Sequence, residues 1–85
     1  MGYQYRSNVL EELSRHGLKP LLDTPPQKLR DAVLDLYKYE IRRLRSTVLD
    51  GRIRRPDYAA HVVDLRKRYG LLSIPVELWV VGHQG

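Results

Sequence analysis

His61 stands four residues after Asp57 and three before Asp64. On a helix those spacings share one face, so an imidazole–carboxylate contact is within reach. Such a pair can orient a general base, but this chain gives it nothing to act on. His16 and His83 are far away in sequence, and there is no cysteine. No serine or threonine sits in a nucleophile-like setting, and Gly51 has no neighbouring glycine to build a phosphate loop. Metal-ligand spacing is absent as well. The expectation is therefore an exposed ion pair at His61, with no catalytic residue, no metal site and no cofactor.

The second chemistry is anion binding. The stretch VLDGRIRRPDY, residues 48–58, carries Arg52, Arg54 and Arg55. Arg42, Arg43 and Arg45 precede it closely. Phosphate binding draws on several cations presented together, because affinity comes largely from released counterions. The charge is unevenly spread. Residues 38–70 hold ten of the fifteen Lys and Arg but four of the ten acids, giving +6 of a formal net charge of +5. The remainder carries −1. That asymmetry makes a polyanion a candidate partner. Arg42, Arg43, Arg45, Arg52, Arg54 and Arg55 are the candidate binding set. No RNA-recognition, KH or zinc-finger signature accompanies them. The residues after the turn, DYAAHVV, are too small and apolar for a DNA-reading helix. Solvated charge is the competing reading.

The third candidate is apolar. Leu71, Leu72, Ile74, Val76, Leu78, Trp79, Val80 and Val81 make residues 71–81 unusually hydrophobic. Completion of a core is the simpler reading. Otherwise Leu72, Ile74, Val76, Leu78 and Trp79 form an interface, with Trp79 as its anchor. A small chain without disulfides gains most from self-association.

These groups need elements to hold them. The 85 residues suffice for one small domain. A first short helix is expected over about 8–16, capped by Ser7 or Asn8 and ended by Gly17. Leu18, Leu21 and Leu22 in the following connector need burial. A second helix is expected over about 25–50. Thr24 is placed as N-cap, Pro25 at the first position and Gln27 as the reciprocal capping partner. Its stripe runs Leu29, Ala32, Val33, Leu36, Tyr37, Ile41, Leu44, Val48 and Leu49, and Gly51 supplies the stop. A third helix is expected over about 56–69, with Tyr58, Val62, Leu65 and Tyr69 as its stripe and Ala59 and Val63 alongside. A short turn makes helices two and three an antiparallel hairpin, with Ile53 plugging its open end. Neither Arg54 nor Arg55 suits an N-cap. The hairpin would set Arg66, Lys67 and Arg68 beside Asp31 and Asp35, paired across the helices. Tyr37, Tyr58 and Tyr69 fall on apolar stripes, whereas Tyr39 lies off them, on the surface. Residues 71–81 read as a helical turn or an extended segment lying across the hairpin.

From Leu44 to Leu65 the pattern L-x₃-V-L-x-G-x-I-x₄-Y-x₆-L resembles the SHOCT-type short helical modules. That resemblance implies a helix–turn–helix interaction or oligomerisation element. The basic turn departs from the acidic or serine-containing turn of those modules. The resulting expectation is an all-α protein that contacts itself or another protein, with nucleic-acid binding through the arginine-rich corner as the alternative. No apolar run reaches the ~18 residues of a membrane span. No signal-peptide core is visible near the start, and the missing cysteines fit a reducing cytoplasm.

Overall fold

The structure is a computed structural model, and it describes residues 2–81. The fold is all-α. Three helices, α1 (Ser7–Arg15), α2 (Pro26–Leu49) and α3 (Arg55–Arg68), are followed by two 3₁₀ turns, Gly70–Ser73 and Val76–Leu78. There is no strand among the described residues, and an isolated antiparallel bridge joins Tyr5 to Val80.

The helix ends follow directly from residue type. Gly17 and Gly51 have φ of +74° and +82°. Each closes a helix in the same way. The Gly17 N–H donates to the Ser14 carbonyl and the Leu18 N–H to the Leu13 carbonyl. The Gly51 N–H donates to Val48 and the Arg52 N–H to Thr47. This is the left-handed C-terminal cap that glycine favours.

The helix starts differ from expectation. Neither Ser7 nor Asn8 caps α1, because Arg6 holds that position in an extended conformation. The Arg6 N–H donates to the Trp79 carbonyl at 3.0 Å, so a distant segment fixes the backbone up to Ser7. The capping box expected at Thr24 and Gln27 does not form either. Pro26 follows Pro25, and a residue before proline is driven out of the helical region. Pro25 is therefore extended and α2 begins at Pro26. Thr24 Oγ1 instead accepts the Leu21 N–H at 3.0 Å, and Gln27 Nε2 donates to Asp31 Oδ1 at 3.0 Å. At α3, Arg54 occupies the N-cap without a side-chain hydrogen bond.

One core gathers every element: Tyr5, Val9, Leu13, Leu29, Val33, Leu65, Tyr69, Leu71 and Trp79. Leu36, Tyr37 and Ile41 of α2 and Leu72, Ile74, Val76 and Val80 of the C-terminal segment pack against it. Leu21 and Leu22 do not join it; each is 75% exposed. The connector is held by its backbone, through Tyr3 N–H to Leu22 O at 3.0 Å and Thr24 N–H to Leu21 O at 3.1 Å. The molecule measures 51 × 17 × 16 Å. Its long direction is set by α2, whose 24 residues span roughly 36 Å.

Candidate functional site

The C-terminal segment settles first. Trp79 has no exposed surface, and its indole N–H donates to the Ile74 carbonyl at 3.0 Å. The two 3₁₀ turns fold the chain back so that Leu71 and Trp79 both enter the core. Trp79 thus lies within the core beside the cluster of Tyr5, Val9 and Val33, as the core-completion alternative has it, and not on the surface as an anchor would. Leu72, Ile74 and Val76 are half-buried against the same core. Leu78 alone of the five candidate interface residues is largely exposed, at 52%.

The six candidate arginines lie at the other end of α2, in the turn and at the start of α3. Arg42, Arg43, Arg45, Arg52, Arg54 and Arg55 are all exposed. The ion pair found among the described residues is Arg15–Glu12, within α1. Arg43 also stands 5.9 Å from the centroid of the exposed Tyr39 ring, at the outer limit of a cation–π contact.

Arg66, Lys67 and Arg68 do not meet Asp31 or Asp35. Helix α3 has 14 residues against 24 in α2, so its last turn stops level with Glu40 and Tyr37. Lys67 and Arg68 line a groove with Glu40, Arg43 and Thr47 on α2 and with His61 and Asp64 on α3. His61 is exposed and forms no hydrogen bond or ion pair with Asp57 or Asp64 among the described residues. No cluster of metal-ligating side chains occurs among those residues. His83 lies outside them.

Sequence reasoning missed two features. His16 stacks on Tyr69 with ring centroids 4.3 Å apart, and its Nε2 is buried without a hydrogen-bond partner. Tyr69 also meets Tyr37 edge-on, and its hydroxyl lies 3.4 Å from Glu40. Burial first, and then the neighbouring Glu40 carboxylate, raise the Tyr69 pKa above the ordinary tyrosine value. The other missed feature is the apolar surface beyond the core. Leu44, Val48, Ile53, Tyr58 and Val62 are half-buried and fall outside the core cluster, and Leu49 is 74% exposed. Arg45, Val48, Leu49, Arg55 and Tyr58 line a groove of about 450 Å³ there. No residue-level signal marks it, because Leu44, Val48 and Leu49 continue the same stripe as the core residues Leu29 and Val33.

No family model, curated protein or solved structure matches the chain. The likeness of residues 44–65 to SHOCT modules rests on their residue pattern alone.

Proposed function

We propose that this protein is a non-enzymatic protein–protein interaction module. Its working surface is the far end of an antiparallel hairpin formed by α2 and α3. Supporting the hairpin reading, Arg45, Val48 and Leu49 lie beside Arg55 and Tyr58. Farther back along α2, Arg43 and Thr47 lie beside His61 and Asp64, and Tyr37 meets Tyr69. The observation that carries the function is an apolar stripe that outlasts the core. From Leu44 onward α2 and α3 have only each other, and Leu49 is left 74% exposed. Apolar side chains grouped on a projecting end mark a contact surface more often than scattered ones do.

One observation favours a second reading, nucleic-acid binding. The six arginines are exposed and form no ion pair among the described residues. Size-exclusion chromatography with light scattering separates the two readings. It is run at low and high salt, with and without a mixed-sequence single-stranded oligonucleotide. Protein contact through the stripe predicts an elution that ignores the oligonucleotide at both salts, with any self-association surviving high salt. Co-elution with the oligonucleotide at low salt only, abolished when Arg52, Arg54 and Arg55 become glutamine, would move the function to the arginines.

A further inference from the structure

The distal groove combines two chemistries in one place. Its floor is Val48, Leu49 and Tyr58, and its rim is Arg45 and Arg55. We infer that it docks an acidic amphipathic helix of a partner protein, an inference that rests on the interaction reading above. Leucine-like side chains of the partner enter the floor, and its carboxylates meet the arginine rim. A helix that carries apolar residues three and four apart presents one such stripe with acids on either side.

Charge decides the occupant. Residues 42–58 hold six arginines and two aspartates, a formal +4. Bringing two copies together at this end sets Arg45 and Arg55 of each against like charges, which works against a self-pairing there. An acidic partner reverses the sign of every one of those contacts. The floor argues against a phosphate backbone as the occupant. Leu49 is 74% exposed and offers nothing to a phosphate, whereas arginine and tyrosine around an apolar centre are what protein contacts use. The groove holds about 450 Å³, room for a few side chains rather than for a whole domain.

The test uses the full chain and three fluorescently labelled probes. The first is a peptide of about five helical turns with leucines at helical spacing and glutamates elsewhere. The second is its scrambled isomer, of equal charge. The third is a mixed-sequence single-stranded oligonucleotide. Anisotropy is read at moderate salt for the wild type, for Leu49→Ser and for the double variant Arg45→Gln, Arg55→Gln. All three positions are exposed, and unchanged helical circular dichroism verifies that the variants are folded. The expected result is binding of the ordered peptide, weakened roughly tenfold or more by scrambling and by either variant. Equal binding of the scrambled peptide, or an unchanged affinity in Leu49→Ser, overturns the inference. Tighter binding of the oligonucleotide that depends on the arginines and ignores Leu49 overturns it together with the interaction reading. Self-association that Leu49→Ser abolishes, without peptide binding, overturns this inference and leaves the interaction reading standing.

Discussion

Trp79 and Tyr5 carry much of the core, and both are testable singly. Replacing Trp79 by alanine removes a fully buried indole and is expected to cost about 3–5 kcal/mol. A chain of this size has little more than that in hand, so the variant should be largely unfolded in urea titration at room temperature. Trp79→Phe retains most of the volume and loses the N–H bonded to Ile74, at about 1–3 kcal/mol. Tyr5 is 7% exposed, and its hydroxyl donates to the Thr24 carbonyl at 2.6 Å. Burial, with a smaller effect of Tyr3, pushes its pKa up from 10.0 to about 12. The neutral phenol is therefore favoured in the folded chain. Its contribution to stability is complete below pH 10.0, where both states are protonated. It is lost as the pH rises to about 12, because the unfolded chain ionises first. Melting temperatures followed across this window should fall more steeply for the wild type than for Tyr5→Phe. Parallel curves would mean that the Tyr5 hydroxyl is not held as described.

At the scale of elements, the helices differ in how much of each is covered. Leu29 and Val33 of α2 are buried in the core that also holds Val9 and Leu13 of α1 and Leu71 and Trp79 of the C-terminal segment, while Leu44, Val48 and Leu49 at its other end fall outside that core. Helix α3 buries Leu65 alone, and Ala59, Ala60 and Val63 face solvent. Hydrogen exchange should therefore divide α2. Amides near Leu29 to Ile41 should be protected at least about tenfold more than those near Leu44 to Leu49 and those of Ala59 to Val63. Uniform protection along α2 would mean that the distal end is covered after all. The same contrast explains what the sequence could announce. The three helices follow from apolar steps of three and four, and their stops from Gly17 and Gly51, because both signals are local. The starts depart from the cap residues where a neighbour overrules them, Pro26 at Thr24 and the Trp79 carbonyl at Ser7. Residues 71–81 were unreadable in detail because 3₁₀ turns are short and their side chains settle by what they meet far along the chain. The arginines of the candidate surface were legible by type. Its apolar floor was not, since Val48 and Leu49 continue the same stripe as Leu29 and Val33, and only the fold leaves them outside the core.

For the whole molecule, elongation is the main fact. The Cα radius of gyration is 15.5 Å, against about 12 Å expected for a compact domain of this length. Small-angle scattering from the monomer should reproduce that excess, and a compact profile would mean that the distal end folds back. The bridge between Tyr5 and Val80 has a different consequence, for what a shortened chain can do. Arg6 bonds to Trp79, and Val81 bonds to Gln4 at 2.7 Å, so residues 4–6 and 79–81 secure each other across more than seventy residues of intervening chain. Closing so large a loop carries a high entropic cost until the contacts within it have formed. A chain truncated after Tyr69 would lack the Leu71 and Trp79 that share the core with Val9, Leu13 and Val33. Such a truncated chain should be open to protease, and the chain carried through Val81 should resist it.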